Sequence, residues 1–214
     1  MNLNQDQIRW LDRCADRSWK INHETGLVDV ESSFSCAGQE LIDFKGVRFG
    51  IIRGNFYCHY NLLTSLEGAP KEVGWYFSCR ENQLTSLTGA PKEVGGAFDC
   101  SVNRLTSLTG TPVKVGGDFN CGVNQLTSLM TDLAGTPVEV GGDFYFYDNP
   151  VSEKTLEAIY NLMKVGKRYT EALLQYWNEM SERDKLLMYA DNPDLSADEK
   201  RGYELMNRVR GISI

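Results

Sequence analysis

Four cysteines, Cys58, Cys79, Cys100 and Cys121, follow one another at intervals of 21 residues, and the first adjoins a histidine, His59. Thiols at regular spacing suggest three chemistries: a tetrahedral zinc site, a redox pair, or a Cys–His nucleophile. Each makes its own demand. Zinc needs every sulfur within about 2.3 Å of the ion. The CxxC form of a redox pair is missing from the sequence. A thiolate nucleophile needs a base within reach and an electropositive, accessible setting. Whether these residues can meet such demands depends on the elements that carry them.

Each cysteine closes a phrase Phe-x-Cys-x-x-Asn, and the Asn (Asn61, Asn82, Asn103, Asn124) leads, after one residue, into Leu-Thr-Ser-Leu. Aligned on cysteine, the unit reads Val-Gly-Gly-x-Phe-x-Cys-x-x-Asn-x-Leu-Thr-Ser-Leu-x-Gly-x-Pro-x-x. A fixed period near twenty residues is the signature of a solenoid. The alternation in Phe98-x-Cys100 is that of a strand. Leu105, Leu108 and Val115 fill the interior from the loop and return arm, and Gly-Gly and Pro keep that arm extended. Upstream, Phe34-Ser-Cys36 keeps the spacing with Gln39 in the Asn column. Downstream, four extra residues fall around Met130–Leu133, and Phe146 and Asn149 take the Cys and Asn columns. About six rungs therefore run from Ser33 to Pro150.

Stacked rungs answer the chemical question. Parallel strands lie about 4.8 Å apart, which places Cys58 and Cys121 roughly 14 Å from each other, too far to share a zinc ion. Neighbouring strand residues face opposite ways, so Cys58 points inward and His59 outward. The cysteines are expected to be buried packing residues with free thiols. The serine of each Leu-Thr-Ser-Leu lacks a nucleophile elbow. Val-Gly-Gly enters a strand rather than a helix, so it has no phosphate-loop setting. We expect no catalysis, no metal and no cofactor.

The string Gly-x-x-Phe98-x-Cys100-x-x-Asn103-x-Leu105 resembles a leucine-rich repeat, with Gly in place of the first Leu. The short unit and its Pro resemble repeats of bacterial leucine-rich effectors. The whole variant, followed by a helical tail, is most similar to leucine-rich proteins of tailed bacteriophages. The resemblance implies an α/β solenoid with one parallel β-sheet, an extended convex side and a structural Asn ladder. It also implies a cytoplasmic partner in an infected bacterium. Related effectors carry a ubiquitin-ligase cysteine after their repeats; here the last cysteine, Cys121, lies inside them.

Three segments result. Residues 1–32 form an N-terminal capping helix and lead-in strand, with Asn4 and Gln7 as a capping box and Ile8, Leu11 and Cys14/Ala15 as an apolar stripe. Residues 33–150 form the solenoid. Residues 151–214 form an α-helical C-terminal cap, with Ser152, Ser181 and Ser196 as N-caps and helices near 152–164, 169–180, 182–190 and 196–209. That bundle is expected to dock on the open end of the solenoid.

The net charge is −7, and residues 55–150 hold ten acidic side chains against five basic ones. This argues against nucleic-acid and anionic-membrane partners. No apolar run approaches a membrane span, and Asn2 to Lys20 is too polar for a secretion signal, so a cytoplasmic setting is expected. Function is then left to the outward face of the strands, where the repeat stops constraining identity. Tyr57, His59, Tyr76, Arg80, Asp99, Asp118, Asn120, Tyr145 and Tyr147 lie there, with aromatic ends and a small, polar, acidic centre. Exposed Tyr and Arg suit binding hot spots. We expect a non-enzymatic interaction protein that holds a host bacterial protein, in its phage version an inhibitor of host defence. The alternative is a small-molecule binder whose pocket, lined by Tyr145, Tyr147 and Trp177, lies between the last rung and the helical cap.

Overall fold

The structure is a computed structural model that describes residues 2–126 and 139–150. In chain order its elements are helix α1 (Gln5–Cys14) and strands β1 (Trp19–Ile21), β2 (Val28–Val30), β3 (Phe34–Ser35), β4 (Phe49–Ile52) and β5 (Phe56–Tyr57). There follow β6 (Glu72–Val73), β7 (Phe77–Ser78), β8 (Glu93–Val94), β9 (Phe98–Asp99) and β10 (Lys114–Val115). The last are β11 (Phe119–Asn120), β12 (Glu139–Val140) and β13 (Phe144–Tyr145). The helices expected after residue 150 and the insertion at Met130–Leu133 lie outside the described residues.

The chain winds into a parallel β-solenoid of about five turns. Its Phe-x-Cys strands stack as a six-stranded sheet, β3-β5-β7-β9-β11-β13, with Phe34, Phe56, Phe77, Phe98, Phe119 and Phe144 in register. The single sheet and extended convex side expected from the sequence need correction. The return arm builds a second sheet of seven strands, β1-β2-β4-β6-β8-β10-β12. The cause is backbone hydrogen bonding. Arms held extended by Pro and Gly and stacked at strand spacing must pair their N–H and C=O groups, and the neighbouring coil supplies the partners. Among the described strands only β1 runs antiparallel, in a hairpin with β2.

The corner between the sheets explains the Val-Gly-Gly signature. A Cβ on Gly74, Gly95, Gly116 or Gly141 would sit 2.1–2.3 Å from a carbonyl oxygen of the coil before it. Only glycine lets the backbones approach so closely. The opposite turn needs a left-handed residue just before each Asn. Tyr60, Glu81, Val102, Val123 and Asp148 fill that place with φ between 50° and 56°.

The interior is a stack of phenylalanines. From Phe34 through Phe56, Phe77, Phe98 and Phe119 to Phe144, successive rings lie 5.0–5.5 Å apart and within 15° of parallel. Each buried ring contributes about 1.5–3 kcal/mol through apolar burial, and ring pairing adds about 0.5–1.5 kcal/mol. Leu105, Leu108 and Val115 are buried beside them, as the pattern predicts. Helix α1 forms with the Asn4–Gln7 capping box. Leu11 and Ala15 of the expected stripe are fully buried, as is Trp10, whose ring meets Phe34 edge-on at 5.3 Å.

Candidate binding face

The chemistry the cysteines suggested is closed off by their position. Cys36, Cys58, Cys79, Cys100 and Cys121 have no exposed surface, and all six cysteines are free. The Sγ of Cys58 donates to the Ser78 carbonyl and that of Cys100 to the Asn120 carbonyl, both at 3.3 Å. Burial pushes these thiols well above their ordinary pKa, so they stay protonated and non-nucleophilic. Among the described residues no cluster of His, Cys, Asp and Glu could hold a metal ion.

The asparagine column is structural. Asn82 Nδ2 donates to the carbonyls of Cys58 at 3.0 Å, Cys79 at 3.0 Å and Arg80 at 3.3 Å. Its Oδ1 accepts from Leu63 N at 3.0 Å. Asn61, Asn103, Asn124 and Asn149 repeat this arrangement, so each coil is bolted to the one before it. A turn that would strand several backbone groups is thereby satisfied.

On the outward side of the six-stranded sheet, the residues singled out from the sequence form a layer. Tyr57 and Tyr76 meet at 5.7 Å between ring centroids, and Tyr57 meets His59 at 5.7 Å. Tyr76 Oη donates to Asp99 Oδ2 at 3.1 Å. Burial, followed by the charge of Asp99, raises the Tyr76 phenol above its ordinary pKa. Arg80 pairs with its neighbour Glu81 at 3.1 Å. The Nδ1 of His59 is buried without a hydrogen-bond partner.

The acidic centre expected there lies deeper than the sequence implied. Asp99 is only 8 % exposed, and the Tyr76 phenol reaches its carboxylate. Its Oδ1 accepts from Ser101 N at 2.9 Å and Ser101 Oγ at 2.6 Å. Asp118 is exposed, yet its Oδ1 accepts from Asp143 N at 2.8 Å, and Asn120 Oδ1 accepts from Gly122 N at 3.0 Å. These carboxylate and amide groups brace the sheet first. At the far end, Tyr145 bonds Asp143 through its phenol, and Tyr147 lies over Gly122, where a Cβ would sit 2.6 Å from its ring. Trp177, the third member of the alternative small-molecule pocket, lies outside the described residues.

Three surface residues escaped the sequence reading. Trp75 stands 66 % exposed on the corner, in a column otherwise filled by Gly54, Gly96, Gly117 and Gly142. Tyr60 and Leu62 are 52 % and 44 % exposed at the turn. The signal for Trp75 was legible as the one large side chain in a glycine column.

Comparison with known proteins found no matching family model, no matching curated protein and no matching solved structure. Among the described residues no helix is long and apolar enough to cross a membrane.

Proposed function

We propose that this chain is a non-enzymatic binding protein that captures another protein through the outward face of its six-stranded sheet. The observation that carries this reading is the layer of Tyr57, Tyr76 and His59, in ring contact on a sheet whose backbone is already bonded within the solenoid. Such a surface presents aromatic area without an ordering cost on binding. Among the described residues, the inward thiols are buried and protonated and the Asn column is spent on backbone, which counts against thiol chemistry at the repeats.

The repeat string and its decay at both ends support leucine-rich-repeat identity. The resemblance of the repeat to phage leucine-rich proteins is our ground for proposing a host bacterial protein as partner, with inhibition of a defence function as the outcome, in the host cytoplasm. Among the described residues the face has no basic stripe, which favours protein over nucleic acid. Affinity capture from bacterial host lysate tests the reading. The double variant Tyr76→Ala/Arg80→Ala should lose the captured protein while its circular dichroism spectrum stays unchanged. Undiminished capture would remove this face as the site.

A further inference from the structure

Of the six large hydrophobic side chains that stay exposed among the described residues, five belong to the first coils: Ile42, Ile51, Tyr60, Leu62 and Trp75, with Val113 apart. Three of these continue the aromatic layer into a band. It begins at Trp75 on the corner, crosses Tyr76, Tyr57 and His59, and ends at Tyr60 and Leu62 on the turn. The His59 and Tyr60 rings meet at 5.2 Å, so the aromatic contact reaches the turn. At about 3.3 Å per strand residue the band is roughly 20 Å long, and two coils make it about 10 Å wide.

The backbone beneath the band decides what can lie on it. The N–H groups of Phe56, Cys58 and Tyr60 are given to Tyr76, Ser78 and Arg80 of the next coil. The carbonyls of Asn55, Tyr57 and His59 are taken by Phe34, Cys36 and Gly38 of the previous one. An extended peptide laid here would find no main-chain partner and would leave its own amides unpaired. A helix brings its backbone already satisfied and is about 10 Å across with its side chains, matching two coils. Beyond the band, the outward columns carry Asp99, Asp118 and Asp143, with Arg80 held by Glu81.

Resting on the binding function proposed above, we infer that the partner is seated through an amphipathic helix. Its apolar stripe lies along the band from Trp75 to Leu62, and its Lys/Arg flank faces Asp118. About thirteen helical residues span the 20 Å at 1.5 Å per residue. Trp75 is the anchor, flanked by Gly54 and Gly96, which leave its ring open on both sides.

Two naive display libraries, selected against the full chain, provide the test. One randomises a single helix of a small helical bundle, and the other displays linear peptides. The helix library should yield binders with apolar residues at i, i+3/i+4 and i+7 and a basic flank. Their affinity should fall at least about tenfold on Trp75→Ala and on Leu62→Ser, exposed positions whose change leaves the core intact. Binders from the linear library alone, or helix binders indifferent to both substitutions, would overturn the inference. Binders that weaken on Tyr147→Ala but not on Trp75→Ala would sink the helix seat and spare the sheet-face function. Binders indifferent to all three would sink both.

Discussion

The phenol of Tyr76 reaches across to the next coil and donates to Asp99 Oδ2 at 3.1 Å, and Asp99 Oδ1 is held by Ser101. One carboxylate thus joins two other side chains on the face we assign to binding, and it fixes the Tyr76 ring before any partner arrives. The arrangement has a pH signature. Burial and the neighbouring charge raise the Tyr76 pKa in the folded state. A raised folded value means that stability is fully present below the unfolded pKa, about 10, and is lost as pH rises toward the folded value. Urea midpoints of the native chain and of Tyr76→Phe should therefore converge as pH rises above about 10. A constant gap between them would show that the phenol is not held as described.

The thiols should ignore alkylating and disulfide-exchange reagents while the chain is folded. Cys58, Cys79 and Cys100 are fully buried, and burial raises their pKa, so neither access nor thiolate is available at pH 8 to 9. All six cysteines should react in denaturant. Rapid native labelling of Cys79 or Cys100 would contradict the inward ladder.

Removing one amide from the Asn column should be costly out of proportion to its size. Asn103→Ala strands the N–H of Leu84 and takes a bond from the carbonyls of Cys79 and Cys100, whereas the Ser101 carbonyl keeps its bond from Glu81 N. At about 1–3 kcal/mol for a buried unsatisfied group, partly relieved by water, a loss of roughly 3 kcal/mol is expected. Asn103→Asp keeps the acceptor and discards the donors, placing a charge among carbonyl oxygens. Its stability should recover as pH falls, because its folded carboxyl pKa would be raised. Denaturant curves at two pH values separate the cases; an Asp variant as stable as the native chain would deny the donor role.

The period, strand, interior and Asn columns were legible because identity repeats wherever the backbone imposes a fixed environment. Phe98, Cys100 and Leu105 sit in the same pocket as their counterparts one coil away, so the same residue is written each time. The second sheet was harder to read. Glu72–Val73 and Lys114–Val115 are too short to show alternation, and their pairing depends on the coil spacing rather than on their own sequence. Asp99 was misplaced for a related reason. Its carboxylate is reached by the phenol of Tyr76, which lies 23 residues away in sequence. Trp10 was missed because its role lies in the Phe34 and Phe49 rings it meets at 5.3 and 6.2 Å, not in the periodicity of its helix.

Thr111 occupies a column where the two preceding units place Ala69 and Ala90, and its hydroxyl is buried without a partner among the described residues. A hydroxyl taken from water and left unpaired costs about 1–3 kcal/mol. Thr111→Ala should therefore hold or raise the thermal midpoint, with the gain offset only by one lost methyl contact. A drop of several degrees would mean that the hydroxyl is satisfied after all.

Val102 and Val123 have φ of 56° and 53°, a left-handed conformation that β-branched residues resist. The turn is imposed by the Asn that follows each of them, whose bonds to two coils outweigh the local strain of roughly 1–2 kcal/mol. Asparagine tolerates this conformation far better, so Val123→Asn should stabilise the chain by about 1 kcal/mol, and Val102→Asn likewise. Val123→Ile, which keeps the branch, should bring no gain. If Val123→Asn instead lowers the midpoint, packing of the valine against its neighbouring coils exceeds the strain, and the turn is held by side-chain contact rather than by the amide ladder.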